Sequence, residues 1–238
     1  MTGPLPQLLV VMPVFNEEAS LEKVVAEWFL KLDQCVGEFT LLAIDDGSAD
    51  GTLEILKTLQ TKLGPRFEWL TRENRGHGQS CMQGYRIALD RKIPFVLQID
   101  SDGQSSPEYF GEFWDMRHDF HVIYGKRSRQ DGARRVMASS VLRYLLRLLA
   151  DADCTDANVP YRLMDTLACA DGIRRIPADL FLANIGLAVV LRKSSSIRHS
   201  ALPIGFPPRY GGEASVPFLK FASKAFELFR QLKKAGIR

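Results

Sequence analysis

The chain has 238 residues, of which 46% are hydrophobic and 25% charged; this composition is that of a globular domain and excludes a disordered, collagen-like or coiled-coil protein. The formal net charge of +3 conceals an asymmetry, because residues 1–120 carry 11 basic and 19 acidic side chains whereas residues 121–238 carry 20 and 9. The acidic half therefore suits a cation and the basic half an anion, unless the charges are simply scattered over the surface.

The cysteines and the apolar runs bear on where the protein works. The four cysteines form no C-x-x-C pair, which predicts reduced thiols in a cytosolic protein. No apolar run approaches the ~20 residues that span a bilayer. The sequence therefore predicts a protein that is soluble or at most peripheral to a membrane.

Short apolar runs alternate with amphipathic stretches along the first half of the chain. The predicted strands are 8–14, 39–45, 67–71, 95–100 and 120–125. The predicted helices between and after them are 18–31, 51–62, 78–91 and 107–116, with Asn16 expected to cap the first. This alternation, with nearly continuous apolar strands, indicates an α/β fold with a mostly parallel sheet and helices on both faces.

The rhythm changes after Gly125. The pattern then predicts a basic helix at 133–150, irregular chain at 151–163, a helix at 178–191, an extended segment at 197–206 and a terminal helix at 216–235. No repeat or linker is evident. We therefore expect one domain over residues 1–215, followed by a basic amphipathic helix within residues 216–238.

The sharpest polar motif is Asp100-Ser101-Asp102, at the end of the fourth predicted strand. Two carboxylates two residues apart can converge on one divalent cation if the chain turns, and Gly103 permits that turn. Gln104 adds an oxygen ligand. Oxygen-only ligation suits Mg²⁺ or Mn²⁺, which keep several waters and also bind substrate phosphates. The alternative is a solvated surface turn.

A second polar motif follows the second predicted strand, from Asp45 to Thr52. Asp50 or Thr52 can cap the next helix, and the glycines can make the turn. Neither role requires a second aspartate at the strand end, where a carboxylate can accept from an N–H of a uracil or guanine edge. From these residues alone, capping and base recognition remain equally open.

Weaker signals carry no site by themselves. The histidines have no metal-ligand spacing and are expected to be structural or exposed; they are His77, His118, His121 and His199. The basic half lacks interleaved aromatic and basic residues and any known nucleic-acid module, so nucleic acid is not an expected partner.

Four motifs, in this order over residues 8–110, resemble family 2 glycosyltransferases of the GT-A fold, in particular dolichyl- or polyprenyl-phosphate mannosyl- and glucosyltransferases. They are residues 11–18 (VMPVFNEE), 44–52 (IDDGSADGT), 74–78 (NRGHG) and 100–104 (DSDGQ). From there to residue 215 the resemblance is looser. The resemblance implies a GT-A architecture and a nucleotide diphosphate sugar as donor.

The resemblance also implies roles for individual side chains. Pro13, Phe15 and Glu17 would line the nucleoside pocket, and Asp46, helped by Asp45, would meet the base. Asp100, Asp102 and Gln104 would hold Mg²⁺ or Mn²⁺ on the donor diphosphate.

Further residues follow from the later part of the chain. Arg127 and Arg129 stand where the family places basic residues after its fifth strand. Asp156 and Arg162 flank a segment in which Val159-Pro160-Tyr161 replaces the family's small-Gly-Phe run. Arg209 begins an Arg-x-x-Gly segment that would close over the diphosphate.

The function that the resemblance implies is metal-dependent, inverting transfer of one hexose from a UDP- or GDP-hexose to a polyprenyl phosphate. A phosphate monoester, with a second pKa of about 6, is already anionic at neutral pH, and the basic half suits it. A hydroxyl acceptor would instead need a general base, for which Asp156 is the candidate. A transferase acting on a soluble or glycan hydroxyl and a non-catalytic sugar-nucleotide-binding or scaffold protein stay open as alternatives.

The terminal helix offers a route to a lipid acceptor. On a helical projection residues 218–235 place a Phe-rich apolar face opposite a basic face whose only acid is Glu227. Such a helix suits an anionic membrane interface, although packing on the core explains the apolar face equally well. We expect a cytoplasmic protein, with docking on the cytoplasmic membrane face as the further hypothesis.

Overall fold

The computed structural model describes residues 7–127, 159–180, 182–210 and 230–231. Its strands are β1 (Leu8–Val14), β2 (Phe39–Asp45), β3 (Phe67–Thr71), β4 (Phe95–Gln98), β5 (Val122–Arg127), β6 (Arg162–Asp165) and β7 (His199–Ile204). Its helices are α1 (Leu21–Cys35), α2 (Thr52–Leu63), α3 (His77–Asp90), α4 (Phe110–Asp115), α5 (Ala170–Arg175) and α6 (Ala183–Lys193).

The strands form one seven-stranded sheet in the order β3-β2-β1-β4-β6-β5-β7. Every neighbouring pair is parallel except the two that involve β6, which runs antiparallel to β4 and to β5. Parallel neighbours require crossover connections, and helices supply them between the first four strands. The carboxyl ends of β1, β2, β3, β4 and β5 therefore lie along one edge of the sheet.

The core sits on both faces of the central strands. All seven residues of β1 and of β2 are buried, which explains why these strands read as continuous apolar runs. Trp28 of α1 is fully buried, packs against Phe110 and Tyr161, and donates its indole N–H to the Ser105 carbonyl at 3.1 Å. Helix α1 is thus fixed beneath the loop that follows β4.

The mostly parallel α/β sheet predicted from the sequence is confirmed, and three predicted strands have the observed bounds. The fourth ends earlier, at Gln98, and the fifth is displaced to Val122–Arg127. Helix α1 begins at Leu21 rather than at residue 18, because the preceding residues bind the β2–α2 loop. The predicted helix at 107–116 starts as a 3-10 turn and becomes α4 only at Phe110.

The second half departs further from expectation. Strand β6 begins inside the stretch expected to be irregular, because pairing with β4 and β5 sets its conformation. The expected helices at 133–150 and 216–235 lie outside the described residues, apart from the helical pair 230–231. Across the described ranges, no helix is both long and apolar enough to cross a membrane. Cys35, Cys81 and Cys169 are free thiols.

Candidate active site

Two of the polar loops at the carboxyl edge of the sheet are joined to each other. Asn16 takes a left-handed backbone conformation (φ 54°) and does not cap α1; its side-chain oxygen accepts from the Ala49 N–H at 2.8 Å. In return, the Asn16 N–H donates to Ser48 Oγ at 2.8 Å. The next amide, that of Glu17, donates to Thr52 Oγ1 at 2.9 Å. The loops after β1 and β2 therefore form one continuous surface.

The residues expected to line a nucleoside pocket lie on this surface with different exposure. Pro13 is buried within β1, and its carbonyl accepts from Ser101 Oγ at 2.9 Å. Phe15 is 38% exposed, so its ring is accessible for stacking. Glu17 is buried and faces the loop after β4. The structure brings all three to the same edge, while their contact with a nucleoside stays a prediction.

Asp45 is a buried structural carboxylate. It is fully inaccessible, accepts from Thr71 Oγ1 at 2.6 Å and from the Ser48 N–H at 3.2 Å. These bonds tie the end of β2 to the end of β3 and to its own turn. A contact between Asp45 and a base stays a prediction that requires exposure of this carboxylate.

Asp46 organises the loop that leads into α3. Its Oδ1 lies 2.8 Å from Arg72 Nη2 and accepts from the Arg75 N–H at 3.0 Å, and its Oδ2 accepts from the Gly76 N–H at 2.7 Å. Gly76 has a φ of 88°, which favours glycine at this turn. Asp46 is 3% exposed, and because a carboxylate has about four acceptor sites, its Oδ2 keeps unused acceptor capacity; contact between Asp46 and a base stays a prediction. The sequence did not reveal Arg72, because β3 ends beside Asp46 only in the folded sheet.

Hydrogen bonds hold the Asp100–Gln104 turn within itself, to Ser105 and to the segment after β7. The Asp100 N–H donates to Ser105 Oγ at 3.3 Å, and Asp102 Oδ1 accepts from the Gln104 N–H at 2.9 Å. Gly103 adopts a φ of 83°. The Gln104 side-chain amide donates to the Pro207 carbonyl at 3.1 Å, so Gln104 links this turn to the segment after β7. Its service as a metal ligand stays a prediction.

Arg209 reaches the same turn from the segment after β7. Its Nη2 donates to Glu17 Oε1 at 3.0 Å, and its Nε lies 3.5 Å from Asp102 Oδ2. That Nε is buried and makes no hydrogen bond with the described residues. Ser20 Oγ lies 2.6 Å from the other Glu17 oxygen. The guanidinium therefore bridges two buried carboxylates from different loops.

The electrostatics of this cluster favour an added cation. Burial raises the pKa of Glu17 above its usual value, although the Ser20 hydroxyl and the Arg209 guanidinium oppose the shift. Burial likewise raises the pKa of Asp102, and the neighbouring Asp100 carboxylate raises it further. A bound cation would offset the unfavourable energy of these buried anions.

The donor chemistry of the turn fits Mg²⁺ or Mn²⁺. Asp100 and Asp102 offer hard oxygen ligands at an edge where a phosphate can approach. Within the described ranges, however, no three His, Cys, Asp or Glu side chains form a ready-made metal cluster. Mg²⁺ is usually bound by one or two protein carboxylates together with waters and substrate phosphates. Two carboxylates from the protein are therefore enough for such an ion.

His77 is a site residue that the sequence analysis set aside. It is the first residue of α3, and its Nε2 lies 3.0 Å from Asp100 Oδ1. The two residues are 23 positions apart, so spacing gave no signal. Their proximity follows from topology, because α3 begins at the same edge at which β4 ends.

The remaining predicted basic and acidic residues are distributed differently. Arg162 is fully buried in β6, where its Nη1 donates to the Asn184 carbonyl at 3.3 Å and its guanidinium lies 5.2 Å from the Tyr124 ring centroid. A phosphate contact by Arg162 stays a prediction that requires its exposure. Arg127 is the last residue of β5, and its side chain is outside the description; Arg129 and Asp156 lie outside the described residues.

Comparison with known proteins identifies the family of the chain. The sequence profile of Glycosyl transferase family 2 matches residues 9–164, which span β1 through most of β6 and include the loops after β1, β2 and β4. The chain belongs to glycosyltransferase family 2. The enzyme is therefore a glycosyltransferase, as the sequence motifs indicated, and the matched residues include all four motifs.

Curated relatives of this family 2 enzyme are transferases named for a polyprenyl phosphate. It is 25% identical over 238 residues to the undecaprenyl-phosphate 4-deoxy-4-formamido-L-arabinose transferase of Aeromonas hydrophila, covering 96% of this chain and 68% of the relative. It is 24% identical over 246 residues to the transferase of that name from Salmonella choleraesuis, covering 99% of this chain and 70% of that relative.

Solved structures place the family 2 enzyme among GT-A glycosyltransferases. Glucosyl-3-phosphoglycerate synthase from Mycobacterium tuberculosis, in complex with Mn²⁺, UDP-glucose and phosphoglyceric acid, matches with a TM-score of 0.63 and 16% identity, over 97% of this chain and 80% of that one. Mannosyl-3-phosphoglycerate synthase from Rubrobacter xylanophilus matches with a TM-score of 0.62 and 15% identity, over 98% and 75%. These likenesses establish the GT-A fold.

Proposed function

We propose that this glycosyltransferase moves a single hexose from a UDP- or GDP-hexose to a polyprenyl phosphate, with inversion and with dependence on Mg²⁺ or Mn²⁺. The observation that carries the proposal is the convergence of Asp100, Asp102, Glu17 and Arg209 at the carboxyl edge of a GT-A sheet. Ligands of open α/β sheets bind in the crevice outside the carboxyl ends of the strands.

The donor nucleoside would bind on the joined loops after β1 and β2. Phe15 is exposed there and can stack on a base, as aromatic side chains commonly do. Asp46 Oδ2 has capacity for one more donor, such as the N–H of uracil or guanine. Asp45 would act through the shape of the turn, since its oxygens bind Thr71 and Ser48.

The donor diphosphate would lie between the acidic turn and Arg209. Asp100 and Asp102, with Gln104, would hold the metal ion, which when bound supplies a Lewis acid for the developing charge of the leaving diphosphate. The Arg209 guanidinium faces Asp102 through Nε and Glu17 through Nη2, so it would donate to a phosphate oxygen by exchanging one of these partners when the diphosphate binds. Arginine suits this contact because its planar fork binds phosphate through two N–H groups.

The acceptor would be a phosphate monoester rather than a hydroxyl. Its oxygen would attack the anomeric carbon of the donor sugar while the bond to the diphosphate breaks, and a single displacement of this kind inverts the anomeric configuration. The nucleophile is already anionic, so little base catalysis is needed, and Asp156 would act as a base only on a hydroxyl acceptor. The names of the curated relatives, which specify undecaprenyl phosphate, support this choice.

Reaching a lipid acceptor would require contact with the membrane surface. We propose that the basic, Phe-rich segment 216–238 binds the cytoplasmic leaflet, where each basic residue contributes about 1 kcal/mol. Co-sedimentation with anionic vesicles tests this directly. The full chain should bind at low salt and be released by high salt, whereas a truncation ending at Ser215 should stay in solution. Equal binding of the two proteins, or binding of neither, would contradict the docking proposal.

Donor binding tests the enzymatic part of the proposal. Thermal shift is measured for the full chain with Mn²⁺ and a panel of UDP- and GDP-sugars, each alone and in combination. A ligand at ~100 times its dissociation constant stabilises the fold by about 2.7 kcal/mol, so the true donor should stand out only when Mn²⁺ is present. Stabilisation without hydrolysis or transfer would instead support the non-catalytic binding protein. No stabilisation by any pair would contradict the proposal.

A further inference from the structure

The segment after β7 is attached to the acidic turn through more than Arg209. The Tyr210 N–H donates to the Asp102 carbonyl at 3.0 Å, directly beside the residue that pairs with Glu17. The Tyr210 ring packs closely against the turn, since a Cβ placed on Gly103 would be 2.5 Å from the Tyr210 Cδ2. Glycine at 103 therefore serves the backbone conformation and also makes room for this ring.

The other end of Tyr210 is bound to helix α1. Its hydroxyl donates to the Glu27 carboxylate, lying 3.0 Å from Oε2 and 3.2 Å from Oε1. Lys23, one turn earlier, lies 3.7 Å from the Tyr210 ring centroid and 3.9 Å from Glu27 Oε1. A hydrogen bond to a charged acceptor and a cation over the ring both favour one position of the tyrosine.

We infer that Tyr210 and Glu27 form an anchor that positions Arg209 against Glu17 and Asp102. Arg209 is a long, flexible side chain on a connection that leaves the sheet, so its placement depends on how firmly the neighbouring backbone is held. The anchor ties that backbone to α1, which is itself fixed in the core by Trp28. Tyr210 and Glu27 would thus act on the reaction through Arg209, without touching the substrate.

The physical part of the inference is tested on the free protein. Hydrogen exchange of the Tyr210 amide is followed in the full chain, in Tyr210→Phe, which removes only the hydroxyl, and in Glu27→Ala, which removes its acceptor. Loss of one hydrogen bond should increase the population of the open state, in which this amide is exposed to solvent. The exchange rate should therefore rise about fivefold in each variant. The control Glu22→Ala removes an exposed carboxylate from the same helix, which pairs with Lys62 instead, and should change nothing. Unchanged exchange in both anchor variants would overturn the inference.

The functional part uses a double-mutant cycle and rests on the proposed function. Tyr210→Phe should lower the rate of sugar transfer about fivefold in the otherwise natural chain. In an Arg209→Ala background it should have no further effect, because the anchor then has nothing to position. An equal loss in both backgrounds would show a general structural role and refute the positioning role. If the natural chain transfers no sugar, the proposed function fails, whereas the exchange experiment still decides the anchor.

Discussion

Replacing Asp102 by asparagine tests the acidic turn with little change of shape. Asp102→Asn keeps the size of the side chain and its Oδ1, which accepts from the Gln104 N–H. It removes the charge that a divalent cation requires and that faces Arg209 across 3.5 Å. The turnover number should fall at least ~100-fold, the scale on which a principal electrostatic stabiliser of a transition state acts.

The stability of the same variant should change little. Burial and the Asp100 charge raise the pKa of Asp102, which means that the ionised form is disfavoured in the folded protein. Neutralising it therefore removes an unfavourable energy, and Arg209 keeps its pair with Glu17, so no buried charge is left without a partner and the net change should stay within about 1 kcal/mol. For a chain of this size the net effect on Tm should be within about 4 °C. Activity and stability should thus separate.

The assay compares transfer rate, Mn²⁺ dependence and Tm for three proteins. Asp90→Asn serves as the matched control, because Asp90 is exposed at the end of α3, away from the carboxyl edge. The control should retain the activity and Tm of the natural chain. Full activity of Asp102→Asn, with or without EDTA, would refute the assignment of the acidic turn; collapse of its Tm would refute the electrostatic argument.

Substitutions at three further positions give separate predictions. Arg209→Lys should lower the transfer rate about tenfold despite keeping the charge, because lysine cannot make the paired N–H contact; an unchanged rate would count against the phosphate role. His77→Ala should weaken Mn²⁺ binding about tenfold by releasing Asp100, whereas His77→Gln, which keeps an N–H donor, should bind nearly as well; titration of Mn²⁺ by electron paramagnetic resonance measures both. Burial and the Arg192 charge lower the pKa of His199 to about 4, so folding favours its neutral form and stability should fall as the pH drops from about 6.5 towards 4. Urea unfolding measures how far the free energy of unfolding decreases between pH 7 and pH 5. This decrease should be smaller in His199→Gln than in the natural chain by roughly 1 to 2 kcal/mol, and equal decreases in the two proteins would contradict the burial argument.

The fold was predictable where local pattern and tertiary packing agree. β1 and β2 are buried along their whole length, so their apolar runs identified them with the right bounds. β6 was missed because it has only four residues, starts with Arg162 and ends with Asp165. Its strand conformation comes from hydrogen bonds to β4 and β5, which no local pattern records.

The candidate site was predictable to the extent that it depends on strand ends. Asp46 and Asp102 follow apolar strands, and parallel topology then places them at one edge. Contacts between residues that are distant in the sequence could not be predicted in this way. His77 meets Asp100 because α3 begins beside β4, and Tyr210 meets Glu27 across 183 positions. Such pairs become visible only once the sheet order is known.

The central claim is most directly tested by following labelled hexose from a UDP- or GDP-sugar into undecaprenyl phosphate. The full chain is incubated with donor, acceptor and Mn²⁺ in detergent, and label is counted after extraction into organic solvent. We predict donor-specific transfer into the organic phase that is abolished by EDTA and reduced at least ~100-fold in Asp102→Asn. Transfer that is confined to soluble hydroxyl acceptors, or that continues undiminished without a divalent cation, would contradict the account.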